Sequence, residues 1–377
     1  MKKTVFVAPL ILILMLAACT GGVADQSGGN GATEAELASL QTEMQELKDE
    51  VQRLESDSPN EMTSLLHVEQ GYATVMDSVF DSNVDLSKGY YVAEIQDGLY
   101  WATTGSYQIM FLTTGEGVIV VDAPPSFGEN ILSAISDVTD EPITHVIYSH
   151  FHGDHIGGAH VFPDDVIVIA HEDTAAQLER GLPCHQCSGP RPMPDITFSD
   201  NYSLEVGNQV LELEYKGPNH AEGNIFIYAP KQNVLMVVDI IFPGWGPFMA
   251  VTDNFPGLIA AHDQILSYDI DTLIAGDLTR LGTREDVEIQ KEFVQDLVDA
   301  AAKSNRELYA TIFSSAFEDA VAIGSGNNPW VTGKIAFDRG AQQCVDELLP
   351  KWTDRLAGVD VWMFENCWTM AMSLRID

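Results

Sequence analysis

The chain has 377 residues, of which 56 are acidic and 19 basic, so its formal net charge is −37 at pH 7. A surface this acidic repels nucleic acid and anionic membrane surfaces, and we therefore expect no nucleic-acid partner. The charge favours a hydrated surface in salt and carries no information about chemistry.

The first 18 residues have the features of an export signal. Lys2 and Lys3 precede an apolar stretch that is short of the roughly 20 residues needed to span a bilayer. Small residues then lead into Cys19, and "LAAC" resembles the bacterial lipobox. We expect residues 1–18 to be a lipoprotein signal peptide and the protein to be lipid-anchored through Cys19 in the bacterial cell envelope. Because Thr20 replaces the aspartate that retains lipoproteins at an inner membrane, the outer membrane is preferred; the alternative is a transmembrane anchor.

Two further segments precede the region of mixed strands and helices. Residues 19–33 are rich in Gly, Ser, Ala and Asn, which is typical of a flexible tether. Residues 34–56 predict a short coiled-coil helix, because apolar residues recur three and four apart. These residues are Leu37, Leu40, Met44, Leu47, Val51 and Leu54. Since an isolated helix of this length is marginal in water, we expect homo-oligomerisation to bury the seam, the alternative being packing onto the chain's own domain.

From about residue 90 the pattern predicts alternating strands and helices. The predicted strands are "GLYWATTG", "YQIMFLTT", "GVIVVDAP", "ITHVIYS", "VIVIAH", "TFSDNYSLEVG", "QVLELEYKG", "NIFIYAP", "NVLMVVDII" and "DTLIAGD". The predicted helices are 127–139, 172–182, 255–268 and 284–304, and the chain from 305 onwards is expected to be mainly helical. This order indicates two sheets with helices outside them.

The stretch "SHFHGDHIGG" concentrates three of the ten histidines of the chain between His150 and His155. His150 and His152 alternate at a predicted strand end, so both can face the same side. A glycine then permits a sharp turn, after which Asp154 and His155 face the same hollow. Imidazole and carboxylate groups that converge on one point bind transition metals, and neighbouring imidazoles gain little from one another without a cation. We therefore predict a metal site here instead of a solvated polar loop.

The motif H-x-H-x-D-H after a hydrophobic strand resembles the metallo-β-lactamase fold superfamily, over about residues 90–300. Three further motifs follow the order of that family. They are "VVDAP" with Asp122, "GPNHAEGNIFIYAP" with His220 and "VLMVVDIIF" with Asp239.

The resemblance implies an α/β fold, an αββα sandwich of two mixed β-sheets flanked by helices, over residues 88–304. The coiled-coil helix precedes it, and a mainly helical C-terminal extension, residues 305–377, follows. It also implies a metal-dependent hydrolase that uses a metal-bound hydroxide on an ester, lactone, amide or thioester bond. Two alternatives stay open: an iron-dependent oxygenase or oxidoreductase on this fold, and a catalytically degenerate, membrane-anchored binding protein. The substrate does not follow from the fold.

The resemblance also implies a set of metal ligands. His150, His152 and His220 are the expected ligands of the first ion, and Asp154, His155, Asp239 and Asp277 those of the second, with Asp239 bridging. Asp154 would in addition orient the nucleophile and accept a proton. The expected cofactor is zinc (Zn²⁺), one or two ions per chain, with iron or manganese as alternatives. Asp277 stands where family members usually place a histidine, and its harder oxygen donor predicts a weakened or retuned second site.

Two loops are candidates for substrate contact. In "FPGWGPF", Trp245 and Phe248 predict an apolar wall, the alternative for Trp245 being packing of its own loop. The Pro-rich residues 182–195 predict a lid, with Arg191 as a candidate anion contact. The other histidines with a motif context are His160 and His171, expected to be structural, and His262, an alternative ligand on a helix.

Four cysteines remain besides Cys19, and in an exported protein they can form two disulfides. Proximity in sequence predicts the pairs 184–187 and 344–367, which is one of three connectivities. Metal binding by "CHQC" is the alternative for the first pair.

Overall fold

In a computed structural model, the chain divides into two units, Met1–Gly71 and Tyr72–Asp377. The described residues, 72–278 and 280–376, belong to the second unit. The predicted signal peptide, tether and coiled-coil helix lie outside the described residues and stay predictions. Within the described residues, no helix combines the length and the apolar composition that a membrane span requires.

The first sheet has seven strands that lie in chain order. They are β1 (Tyr91–Gln96), β2 (Leu99–Thr103), β3 (Gln108–Thr113), β4 (Val118–Val121), β5 (Ile143–Ile147), β6 (Ile167–His171) and β7 (Ile196–Phe198). Strands β1 to β4 pair antiparallel, whereas β4 to β7 pair parallel. The sheet is therefore mixed, and its parallel half requires crossover connections.

The second sheet has five strands in the order β12-β11-β10-β9-β8. They are β8 (Asn201–Val206), β9 (Gln209–Glu214), β10 (Phe226–Ala229), β11 (Val234–Met236) and β12 (Thr272–Ile274). Strands β8 to β11 form an antiparallel meander, and β12 pairs parallel with β11. This sheet is also mixed, as predicted.

Eight α-helices flank the sheets within the described residues. They are α1 (Asn130–Ser136), α2 (Gly153–Ile156), α3 (Glu172–Glu179), α4 (Phe255–Leu266), α5 (Arg284–Glu307), α6 (Phe313–Ala322), α7 (Pro329–Trp352) and α8 (Val359–Ile376). Short 3₁₀ segments occur at Asp77–Val79 and Ala159–Val161, and a π-helical segment, Leu308–Ile312, joins α5 to α6. The prediction of a mainly helical C-terminal region is confirmed, and the predicted domain limits stay a prediction.

Strands β3, β4 and β11 are buried on both faces, which explains their nearly continuous apolar runs. In β3, Met110 packs into the cluster between the two sheets, where it meets Ile227 of β10. The next residue, Phe111, packs instead with Ile131 of α1, on the outer face of the first sheet. The outer face of the second sheet is covered by α4, α5, α7 and α8. This helix–sheet–sheet–helix layering confirms the predicted αββα sandwich, the metallo-β-lactamase fold.

Both predicted disulfides form. Cys344 in α7 is bonded to Cys367 in α8, inside the helical layer. Cys184 is bonded to Cys187 in the loop after α3, so "CHQC" does not offer thiolates to a metal. Sequence proximity therefore selected the correct connectivity.

Candidate metal centre

The candidate ligands follow the C-terminal ends of parallel strands. Asp122 comes directly after β4, and Ser149 follows the neighbouring strand β5. The backbone N–H of Ser149 donates a hydrogen bond of 2.8 Å to Asp122 Oδ1, which joins the two loops where they begin. In the second sheet, Asp239 and Asp277 follow the parallel strands β11 and β12. In each sheet, parallel pairing thus places two of these loops side by side at the same end of the strands.

The turn predicted at the glycine is the start of α2. His152 has the extended conformation, φ −64° and ψ 142°, and the chain becomes helical at Gly153. The helix contains a single turn, which is enough to direct Asp154 toward the cavity and His155 into the interior, where it is fully buried. One short turn therefore supplies two of the predicted ligands.

The first group of converging donors consists of His150, His152, His220 and Asp239, whose ligand atoms all lie within 4.8 Å of one another. The distance from Asp239 Oδ2 is 3.4 Å to His150 Nε2 and 3.0 Å to His220 Nε2. His220 Nε2 lies 3.0 Å from His152 Nδ1. The fold therefore brings together the three histidines predicted for the first ion, with Asp239 beside them.

The second group consists of His155, Asp239 and Asp277. His155 Nε2 lies 3.2 Å from Asp239 Oδ2, so Asp239 belongs to both groups, as expected of a bridging ligand. Asp154 lies at the margin: its Oδ2 is 3.9 Å from His155 Nε2 and accepts a hydrogen bond of 3.3 Å from the Tyr107 hydroxyl. All seven predicted ligands face one region, and their roles as ligands stay a prediction.

Burial and mutual repulsion shift the pKa values of these groups. Burial and then the neighbouring His152 hold the pKa of His150 well below its usual value, so this imidazole is neutral. Burial and the charge of Asp239 raise the pKa of Asp277 well above the usual range of a carboxyl group. Burial also raises the pKa of Asp239, but the charges of His155 and His220 outweigh burial and hold this pKa well below the usual value. Carboxyl groups and imidazoles this close together shift one another's pKa values, and in their deprotonated forms they are a donor set that a cation stabilises.

Unpaired buried nitrogens provide the test of whether a metal fits. His150 Nε2, both ring nitrogens of His155 and His220 Nδ1 are buried and have no hydrogen-bond partner among the described residues. Buried polar atoms are normally paired, so several orphaned imidazole nitrogens around one point require an explanation. A divalent metal ion supplies it, because neutral imidazole and carboxylate are its usual ligands. The residues present therefore fit a divalent metal site.

The donors form the floor of a cavity of about 580 Å³. The remaining lining residues are Ser106, Tyr107, Gly153, Gln186, Phe242, Phe248, Val251 and Leu278. Phe248 is in the wall, as predicted, whereas Trp245 is not: its ring lies edge-on to Phe80, with 6.1 Å between centroids. The predicted lid contributes Gln186, which lies between the two bonded cysteines. Arg191 instead donates a hydrogen bond of 2.8 Å to the carbonyl of Phe151, so it does not serve as an anion contact in this cavity.

The other histidines have structural contacts. His171 is the N-cap of α3, where its Nδ1 accepts a hydrogen bond of 3.1 Å from the backbone N–H of Asp173. His262 lies within α4, with Nδ1 2.9 Å from the carbonyl of Leu258, and it is absent from both donor groups. His160 is exposed and packs against Gly189. His171 therefore has a structural role, as expected, and none of the three histidines belongs to either donor group.

Tyr107 is one of the cavity residues that sequence reasoning missed. It precedes β3, forms an isolated bridge with Asp277, and its ring lies edge-on to His155 with 5.4 Å between centroids. No local signal indicates this position, because its partners come from the second sheet and from α2. Phe242, Val251 and Leu278 were missed for the same reason, although each follows or adjoins a predicted ligand loop.

A family model described as the metallo-beta-lactamase superfamily matches residues 102–277. The chain is 29% identical over 195 residues to the "2,4-dinitroanisole O-demethylase subunit alpha" of Nocardioides sp. (strain JS1661), a match that covers 50% of this chain and 58% of that protein. It is 24% identical over 165 residues to a "Metallo-beta-lactamase type 2" of Elizabethkingia meningoseptica, covering 41% of this chain and 63% of that protein. It is 28% identical over 177 residues to the "Linear primary-alkylsulfatase" of Pseudomonas sp. (strain ATCC 19151), covering 44% of this chain and 32% of that protein. The chain thus spans less than two thirds of the length of each of these relatives.

Solved structures are similar over about half of the chain. A "Metallo-beta-lactamase from Pontibacter korlensis" aligns with a TM-score of 0.46 and 20% identity, covering 55% of this chain and 99% of that one. A subclass B3 metallo-beta-lactamase of Bradyrhizobium japonicum aligns with a TM-score of 0.42 and 18% identity, covering 49% of this chain and 77% of that one.

Proposed function

Because residues 102–277 form a metallo-β-lactamase superfamily domain, we propose that the protein is a metal-dependent hydrolase of ester, lactone, amide or thioester bonds. The observation that carries the proposal is the convergence of imidazole and carboxylate donors, within 4.8 Å in each group, on the floor of an open cavity. Orphaned buried nitrogens at the same point support it. Burying imidazole and carboxylate groups side by side lowers the stability of the fold, and a role in binding a catalytic metal would explain this arrangement.

We propose zinc as the ion, because imidazole donors dominate the first group. His150, His152 and His220 would hold the first ion, while His155, Asp239 and Asp277 would hold the second. A bound divalent ion lowers the pKa of a coordinated water and polarises the carbonyl of the substrate.

Asp154 is the residue we propose for handling the proton. Its side chain is 29% exposed and lines the cavity, so it can reach both a water at the donor cluster and a substrate above it. The Tyr107 hydroxyl donates to Asp154 Oδ2 and thereby fixes the direction of the carboxylate. Asp154 would accept a proton from the attacking water and deliver it to the leaving group.

The second donor group favours one alternative function. His155, Asp239 and Asp277 provide one imidazole and two carboxylates, which is a harder set than a site with two histidines. Such a set shifts preference from zinc toward manganese or iron. An iron-dependent oxygenase or oxidoreductase is therefore the second candidate.

Metal content per chain, paired with a substrate screen, tests these proposals. Protein purified without added metal would be analysed for zinc, iron and manganese, then assayed on lactone, ester, thioester and β-lactam substrates. We expect zinc with acyl turnover, and the variant His220→Ala should lose metal and activity together. His160→Ala, at an exposed histidine outside the cluster, is the matched control and should retain both. Bound metal without turnover of any acyl substrate would favour the binding protein, and bound iron with oxidative turnover the second candidate.

We also propose that the protein is anchored to the outer membrane through Cys19, facing the periplasm, and self-associates through residues 34–56. Both rest on sequence patterns. Labelling with a fatty acid and membrane fractionation of Cys19→Ser test the anchor: the variant should lose label and membrane association. Sedimentation of the mature chain with and without residues 34–56 tests the association.

A further inference from the structure

Four apolar side chains line the 580 Å³ cavity beside the donor cluster. They are Phe242, Phe248, Val251 and Leu278. Phe248 is fixed by packing against Trp362, with 4.5 Å between ring centroids. Val251 is 50% exposed and faces the opening, so it offers apolar surface to whatever enters. These apolar side chains suit an uncharged hydrocarbon group.

The polar lining residues in the described part of the chain include no lysine or arginine. Ser106, Tyr107 and Gln186 contribute neutral polar groups. The other polar side chains of the lining are the candidate metal ligands, which are carboxyl or imidazole groups. Among the described residues, no lysine or arginine lines the cavity. A substrate group with negative charge therefore has no side-chain counter-ion in the wall.

The arginines nearest to the wall along the chain are already bound elsewhere. Arg280 follows closely after Leu278, but its guanidinium forms two hydrogen bonds with the Asp286 carboxylate, of 2.6 and 3.0 Å. Arg191 follows Gln186 in the same loop, but it donates to a backbone carbonyl and faces a different cavity. Neither can reach a bound substrate without breaking these contacts.

From this geometry we infer that the cavity accepts acyl substrates with a neutral or cationic group on the acyl chain and discriminates against those with an anionic group. The inference rests on the proposed hydrolytic function and names the substrate class for that site. Moving a carboxylate from water against apolar walls is costly when no cation compensates it. Bound divalent ions offset the carboxylates of the site at the reacting bond, whereas a remote anionic group lies against the wall and gains little from them. The overall charge of −37 acts in the same direction at long range.

Three nitrophenyl esters of equal acyl length test the inference. They are the neutral hexanoate, the anionic mono-ester of adipate and the cationic 6-(trimethylammonio)hexanoate. For the metal-loaded protein we expect kcat/KM for the adipate ester to be lower than for the other two by about tenfold or more. An adipate ester hydrolysed as fast as the hexanoate would overturn the inference and leave the proposed hydrolase intact. Absence of turnover for all three would also overturn the inference, and the lactone, thioester and β-lactam assays would then decide the proposed hydrolase separately.

Ionic strength separates the wall from the charge of the whole protein. Raising it from about 0.15 M to about 1 M shortens the screening length from about 8 Å to about 3 Å. Discrimination by the wall should persist at high salt, and its collapse would show that long-range repulsion alone is responsible.

A cation placed in the wall gives the reciprocal test. Val251→Lys should raise the adipate-to-hexanoate ratio of kcat/KM several-fold and lower the ratio for the trimethylammonio ester. Val251→Met, a neutral replacement of similar length, should leave both ratios as they are. Equal ratios in Val251→Lys and Val251→Met would contradict the inference.

Discussion

The replacement Gly153→Ala tests whether the Cys184–Cys187 disulfide supports the metal loop. A Cβ atom at position 153 would lie 2.3 Å from Cys184 Sγ and 3.2 Å from Cys187 Sγ. The first distance is shorter than any contact that real Cβ atoms make, so the backbone of α2 or the disulfide must move. The two sulfurs are bonded to each other, so neither can rotate away alone. The next two residues after this position are candidate ligands, so a shift of α2 displaces them.

The expected magnitude follows from the crowding. Inserting a methyl group into a packed site costs about 1–3 kcal/mol, and the helix preference of alanine over glycine returns at most about 1 kcal/mol. We therefore expect Gly153→Ala to lower the free energy of unfolding by about 1–2 kcal/mol. The corresponding decrease in Tm is about 2–8 °C, together with reduced metal content per chain.

Calorimetry and metal analysis of the parent protein and its variants decide the matter. Gly333→Ala, in α7, is the matched control, because the nearest heavy atom to its added Cβ is Phe337 Cε2 at 3.9 Å. This control should be as stable as the parent or slightly more stable. In a background with both Cys184 and Cys187 replaced by alanine, the penalty of Gly153→Ala should shrink, which a double-mutant cycle measures. If Gly153→Ala melts and binds metal as Gly333→Ala does, the disulfide does not position the loop.

Three further changes have defined outcomes. Asp277→His should raise the zinc content per chain toward two, because imidazole is a better zinc ligand; unchanged stoichiometry would show that this position does not limit the second site. Tyr107→Phe removes the hydrogen bond to Asp154 and should lower kcat/KM about tenfold with Tm within about 2 °C, whereas unchanged kinetics would exclude an orienting role. Asp286→Asn should lower stability at pH 7 by about 2 kcal/mol, because the paired Arg280 loses its counter-ion. Burial raises the pKa of Asp286, but the contact with Arg280 outweighs burial and lowers this pKa below its ordinary 3.8. The greater stability of the wild type over Asp286→Asn should therefore be complete above pH 3.8 and disappear as the pH falls below it. A stability difference independent of pH in thermal melts would contradict this.

The buried strands and the ligand cluster were predictable because their signals are local. Apolar runs marked β2 to β6, and the spacing within "HFHGDH" marked the donors. Strand β1 was missed because Tyr91–Gln96 is only partly buried and mixes polar with apolar residues. Helix α1 is also shorter than predicted, because it covers Asn130–Ser136 and not the whole of 127–139.

Tertiary contacts account for what could not be predicted at the site. Tyr107 reaches Asp277 through a bridge between the first sheet and the loop after β12, and no sequence pattern connects two such distant positions. Likewise, nothing in the sequence of "FPGWGPF" distinguishes Trp245 from Phe248. In the structure Phe248 lines the cavity, whereas Trp245 packs against Phe80.

Backbone strain is concentrated at the metal centre. Within the described residues, five non-glycine residues have positive φ. Asp97 and Asn233 occupy tight turns between paired antiparallel strands, where this conformation is ordinary. The other three surround the candidate site: Asp122 (φ 65°), Asp239 (φ 61°) and Leu278 (φ 70°).

Each of these three positions is held by the protein itself. The N–H of Asp122 donates to the carbonyl of Ile147, and the N–H of Asp239 donates to the carbonyl of Ala275. Leu278 donates its N–H to the carbonyl of Ser106 at 2.7 Å. A left-handed conformation costs an L-residue about 1–2 kcal/mol and persists only where surrounding contacts enforce it. Because the protein's own hydrogen bonds enforce it here, the two sheets themselves organise the loops that carry the carboxylates and the apolar wall. A metal ion bound as we propose would complete a site whose geometry the fold sets.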